Sequence, residues 1–262
     1  MNNFVTEILT AKTGRTHIFS TGQAGFIIKS SSGQIVGVDL YLSDCVERLE
    51  GHAGFKRLLP KIFSPSEIEF DAVICTHAHF DHFDFDSVPK FLANGRTQLF
   101  CSEGCKTLTE KLMLNYHEEQ IHYVKPGDVA TVEDFQIKFV NCDHGAAAPD
   151  AVGVVLNVDG KIIYEAGDTR LRTDRANEIP DNPDVLIAPI NGAFGNMNES
   201  ECVTLSELLR PKITIPCHYG MFASHHGDVG KFFDLMTEKN LPFLIMRQGE
   251  RYTLPEKILN GV

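Results

Sequence analysis

The segment Thr76-His77-Ala78-His79-Phe80-Asp81-His82 places four metal-ligand side chains within six residues. Imidazole nitrogens and carboxylate oxygens, without a committed thiolate, are donors that suit zinc, manganese or iron. Core filling does not account for all four, because a buried Asp needs a partner and a buried imidazole needs both ring nitrogens placed. On a loop at a strand end, residues two apart can converge on one ion, while Asp81-His82 reaches a second. Three later positions repeat the setting of a ligand-type side chain just after an apolar run: His144 after 139–143, Asp168 after 162–167 and His218 after 213–217. Each is weak alone. Together they supply what the cluster lacks for two ions, including a carboxylate able to bridge them, and Gly167 lets the backbone pass close to the site.

The elements that must hold these residues are short. Residues 25–28 and 35–39 flank the turn Ser31-Ser32-Gly33 as a hairpin, and the first 40 residues read as short strands. Residues 71–75 form an apolar run into the histidine cluster, and helices are expected over 42–49, 86–93 and 103–114. Residues 135–140 alternate apolar and polar, while 152–158 and 161–164 join through Asp159-Gly160, a two-residue hairpin dipeptide. Strand and helix then alternate: strands over 185–188 and 213–216, helices over 199–209 and near 229–238. Strands followed by strand–helix alternation predict an α+β or α/β chain with layered sheets covered by helices. With no low-complexity stretch, charge block or Ser/Gly linker, residues 1–262 read as one domain.

The run Thr76 to His82, His144, Gly167-Asp168-Thr169 and His218, in that order, resembles the metal-binding motifs of the metallo-β-lactamase superfamily. Within it, Gly22 to Ile28, Asp39 to Asp44, Asp143-His144-Gly145, Ala148 to Gly153, Pro189-Ile190-Asn191-Gly192 and Gly195-Asn196-Met197-Asn198 resemble the L-ascorbate-6-phosphate lactonase-like group. The lactonase proper carries a longer segment with an arginine and an aspartate before that last motif, where this chain has only Ala193-Phe194. The resemblance implies a four-layer αβ/βα sandwich. It also implies His77, His79 and His144 on a first ion, Asp81, His82 and His218 on a second, and Asp168 between them, with one or two ions of manganese or zinc per chain.

Such ions make hydroxide available near neutral pH for attack on a lactone carbonyl or a phosphorus centre. Asp81 is the expected catalytic residue, orienting the hydroxide and carrying a proton to the leaving group. Asn191, Asn196, Asn198 and Arg170 are the expected substrate contacts, and His225-His226 read either as lining the pocket mouth or, the favoured reading, as part of a helix entry with Asp228. The leading expectation is a hydrolase opening a small, phosphorylated sugar lactone. A phosphodiesterase acting on cyclic nucleotides or RNA-like substrates and a non-catalytic metal-binding protein are the alternatives. A di-iron redox pattern would instead place Glu where His79 stands.

Composition narrows the partners to a small molecule. Twenty-four Lys and Arg against 35 Asp and Glu give a formal charge of −11, the wrong sign for nucleic acid. No apolar stretch is long enough to cross a membrane, and the N-terminus lacks a signal-peptide pattern. The seven cysteines form no C-x-x-C pair and read as small buried hydrophobes in a reducing cytoplasm. A homo-oligomer stays open.

Overall fold

A computed structural model describes residues 2–256. Strands β1 (His17–Gly22), β2 (Gly25–Lys29), β3 (Ile35–Val38), β4 (Ala72–Cys75), β5 (Gln98–Ser102) and β6 (Ile121–Val124) precede β7 (Val129–Val132), β8 (Phe135–Asn141), β9 (Val152–Val158), β10 (Lys161–Glu165), β11 (Val185–Pro189), β12 (Thr214–Cys217) and β13 (Arg251–Thr253). The helices are α1 (Asn3–Thr10), α2 (Cys45–Glu50), α3 (Val88–Leu92), α4 (Lys106–Lys111), α5 (Glu199–Leu209) and α6 (Val229–Glu238). One sheet runs β13-β1-β2-β3-β4-β5-β6 and the other β12-β11-β10-β9-β8-β7.

Strand periodicity explains the layers. Ile18, Ile28, Val36 and Ile74 of the first sheet meet Ile137, Phe139, Val154 and Ile187 of the second in a core between the sheets. Their neighbours one residue along, such as Phe19, Ile27 and Val73, point the other way onto α1 and α3. On the second sheet Val155, Tyr164, Leu186 and Ala188 face α5 and α6. The result is helix, sheet, sheet, helix, an α+β sandwich whose central strands are apolar on both faces.

In each sheet a parallel half, β3 to β6 or β10 to β12, adjoins an antiparallel half. The carboxyl ends of β3, β4, β8, β10 and β12 feed the segments bearing Asp39, His77, His144, Asp168 and His218. The β9–β10 hairpin turns at Asp159 and Gly160, both at positive φ (53° and 67°), the mirror-image turn that the Asp-Gly pair favours.

The N-terminus corrects the all-strand reading. Asn2 caps a helix by accepting from the Phe4 amide at 2.9 Å, and the 4/5/8 spacing of Phe4, Val5 and Ile8 buries one helical face. The helix expected at 86–93 is confined to Val88–Leu92, because buried Asp84 holds the preceding turn through the Ser87 amide and hydroxyl. That expected at 103–114 shrinks to Lys106–Lys111 behind a 3₁₀ turn. Among the described residues no helix is long and apolar enough to cross a membrane.

Candidate metal centre

Two groups of ligand atoms converge at the strand ends: His77, His79, His144 and Asp168 in one, Asp81, His82 and His218 in the other, each within 4.8 Å. In the first, His77 Nε2 lies 2.9 Å and His144 Nε2 3.2 Å from His79 Nδ1. Three imidazole nitrogens aimed at one point cannot satisfy one another by hydrogen bonding, because a neutral ring has only one N–H. A shared cation satisfies all three. In the second group His82 Nε2 and His218 Nε2 are 3.2 Å apart, with Asp81 Oδ2 3.4 Å from the latter. Asp168 faces both: Oδ2 is 3.6 Å from His144 Nε2, while Oδ1 is 3.1 Å from His218 Nε2. The chain thus presents an N/O donor set that fits one or two divalent cations.

Electrostatics divide the two groups. Burial drives His77 well below its ordinary pKa and His144 down to about 4, so both rings are neutral donors. Burial also opposes charge on His82 and His218, but the carboxylates of Asp168 and Asp81, with Asp39 on His82, outweigh it. His82 rises well above its usual range and His218 to about 9. Burial likewise pushes Asp81 and Asp168 up, and the neighbouring His82 and His218 overcome it, holding both carboxylates well below the usual range.

Supporting residues fix the ligands. Asp39, fully buried just after β3, accepts from the Thr76 amide at 2.8 Å and the Thr76 hydroxyl at 2.7 Å, and its Oδ2 meets His82 Nδ1 at 2.7 Å. That bond leaves His82 Nε2 free for a metal. Gln23, in the β1–β2 turn, accepts from the His218 amide through its backbone carbonyl and donates from its side-chain Nε2 to Asp81 Oδ2 at 2.8 Å. Gln23, Asp39 and His218 all sit at positive φ (57°, 48° and 61°), strain that the surrounding hydrogen bonds sustain. Gly167 has φ 65°, and a Cβ there would lie 2.9 Å from the Val152 carbonyl, so the strand end can approach only without a side chain. Glu165, three residues before Asp168, is buried with Oε2 unpaired; burial, reinforced by Asp39, raises its carboxyl well above the usual range.

The cavity over these ligands holds about 450 Å³. Its remaining wall is Val46, Phe55, Ala78, Phe80, Ala147, Phe194, His225 and Glu50. His225 takes the pocket-lining reading and not the favoured helix entry: Asp228 caps α6 by itself through the Gly230 and Lys231 amides, while His225 is buried, stacked on His218 at 4.6 Å and 3.0 Å from Gln23 Nε2.

The four expected substrate contacts are placed differently. Asn198 caps α5, accepting from the Glu201 amide. Arg170 is drawn to Asp143, 3.4 Å away, and Arg172 to Asp143 and Asp174, outside the cavity wall. Asn191 and Asn196 are buried; Asn191 Oδ1 and both amide atoms of Asn196 have no protein partner. Cys142 is not in either ligand group; its thiol donates to the Asp168 carbonyl, and all seven cysteines are buried and free. His17 bonds Thr253 and the Lys12 carbonyl, and His122 stacks on Phe100, both away from the ligand groups.

Fold and ligand set together define a metal-dependent hydrolase of the metallo-β-lactamase type. Residues 40–219 match the family model described as the β-lactamase superfamily domain, and the chain belongs to that family. It is 29% identical over 195 residues, covering 70% of this chain and 82% of the relative, to a UPF0173 metal-dependent hydrolase of Staphylococcus aureus. Among solved structures it is similar to Igni18, a metallo hydrolase from the archaeon Ignicoccus hospitalis (TM-score 0.70, 20% identity, 92% of this chain and 99% of that one). It is also similar to the metallo-β-lactamase fold protein YhfI from Bacillus subtilis (TM-score 0.67, 16% identity, 91% and 98%).

Proposed function

We propose that the chain hydrolyses a small-molecule carboxylic ester, a lactone, at the paired ligand groups, with manganese or zinc bound there. The observation that carries this reading is Asp168, whose two oxygens face the two ligand groups while Asp81 stands at the cavity wall. When bound, metal ions lower the pKa of a water towards neutrality and stabilise negative charge developing on the carbonyl oxygen. Asp81, ionised and held by Gln23, accepts the proton of the attacking water. The water oxygen adds to the carbonyl carbon, the ring C–O bond breaks, and Asp81 returns the proton to the departing alkoxide, giving a hydroxy acid. None of the four amide and guanidinium candidates lines the cavity; Asn196, buried with neither amide atom paired, is the one that keeps hydrogen-bonding capacity for a water or a ligand.

The phosphate of a sugar-phosphate lactone finds no lysine or arginine on the cavity wall among the described residues. The same lack of cations, with the −11 charge, disfavours cyclic nucleotide and RNA phosphodiesters. The test is turnover of a lactone panel by metal-depleted and metal-reloaded protein, with Asp81→Ala alongside. Metal-restored ring opening that falls at least about 100-fold in the variant is expected. A variant with near-full rate removes Asp81 from the mechanism, and a panel untouched by reloaded protein overturns the lactonase reading.

A further inference from the structure

The mouth of the cavity carries an aromatic wall that the hydrolytic step does not use. Phe194 stands 56% exposed at the rim, yet its ring packs 5.6 Å from Phe55 and 5.6 Å from His225. Phe55 in turn meets Phe222 at 5.7 Å and His225 at 5.5 Å, so the wall is continuous with buried structure. Phe194 also has φ 56°, in a tight loop closed by the Gly192 amide on the Met197 carbonyl. A bulky side chain in the left-handed region is an outlier where Gly or Asn would sit without strain. The fold gains little from a strained aromatic that is more than half in water; a ligand covering its free face gains much.

Charge points the same way. Apart from the metal-ligand residues, Glu50 is the one charged residue on this wall among those described. No lysine or arginine nearby in sequence lines the wall: Lys56 is exposed outside it, Arg48 pairs with Asp86, Arg57 donates to the Ser43 and Leu59 carbonyls, and Arg170 and Arg172 face Asp143.

From this wall we infer that the site selects substrates whose non-reacting part is an uncharged apolar group, an aryl ring or an alkyl chain, laid against the packed pair Phe194 and Phe55 on the cavity side. This rests on the proposed hydrolysis for its reacting end, but the recognition it describes is separable from turnover. Burying a ring or several methylenes against this wall is worth at least about tenfold in affinity.

The test uses hydroxamates as metal-directed probes on zinc-loaded protein, read by calorimetry: acetohydroxamate, phenylacetohydroxamate, and a chain of similar size ending in phosphate. The expected result is phenylacetohydroxamate binding at least about tenfold tighter than acetohydroxamate and tighter than the phosphate probe. In Phe194→Gly, which relieves the backbone strain and so keeps the fold, and in Phe55→Ala, that preference should fall below about threefold. Equal binding of the first two probes, tightest binding of the phosphate probe, or a preference surviving both variants overturns the inference. Because the readout is binding, the aryl preference stands or falls even if no lactone is turned over.

Discussion

Replacing Asp39 with Asn isolates one charge from the site's support. The variant keeps size and shape, and Asn tolerates the positive φ of 48° as Asp does. In the native protein Asp39 accepts three hydrogen bonds, from the Thr76 amide, the Thr76 hydroxyl and His82 Nδ1. An Asn can keep its oxygen on the Thr76 amide, but its NH₂ then faces His82 Nδ1. That nitrogen must become an acceptor, so the ring proton moves to Nε2, the atom lying 3.2 Å from His218 Nε2. Flipping the amide instead sets NH₂ against the Thr76 N–H. Either orientation costs an interaction, and the first removes the lone pair that a metal requires. Loss of such a supporting carboxylate costs about 10- to 100-fold in metal affinity, or about 1.4–2.7 kcal/mol. Competition titration against a chromophoric chelator measures it without knowledge of the substrate. Affinity at both sites within threefold of the native protein would refute the role given to Asp39.

Metal loading should also release protons. In the metal-free chain His82 and His218 have raised pKa values, the latter about 9, so near pH 7 both carry the extra proton that ligation must displace. Roughly two protons per chain should appear in an indicator assay as zinc is added at pH 7, and fewer as the pH is raised through 9; no release would contradict the charge assignment. The sign for stability follows from the same shifts. A raised folded-state pKa stabilises the metal-free fold fully below about 6.5, an ordinary His value, and that contribution is lost as pH rises through about 9, so its melting temperature should decline over that window. Asn198→Ala should cost about 1 kcal/mol through the lost α5 cap, lowering Tm by about 2–4 °C, with KM unchanged. A raised KM at unchanged Tm would instead make Asn198 a substrate contact.

Much of the site was legible in the sequence because its donors follow apolar strands, and a strand end is a fixed point in a sheet. His77 to His82, His144, Asp168 and His218 all obey that rule, and so does Asp39 after β3, which could have been found by the same signal. Helices α5 and α6 were readable as well, since Asn198 and Asp228 cap them before amphipathic runs. Helix α1 was not, because a short amphipathic segment is settled by what it packs on, here the outer face of the first sheet.

What residue types alone determined is the donor chemistry: nitrogen and carboxylate ligands in the numbers that two cations need. Only the tertiary structure decided which of the remaining polar residues face the site. Arg170 and Arg172 turn to Asp143, Asn198 to a helix terminus, while Gln23 and His225, from distant turns, come together beside Asp81 and His218. The physical reason is that a metal ligand announces itself by donor type, whereas a substrate wall is defined by the direction of side chains on loops. Sequence spacing does not encode that direction; the packing of two sheets does.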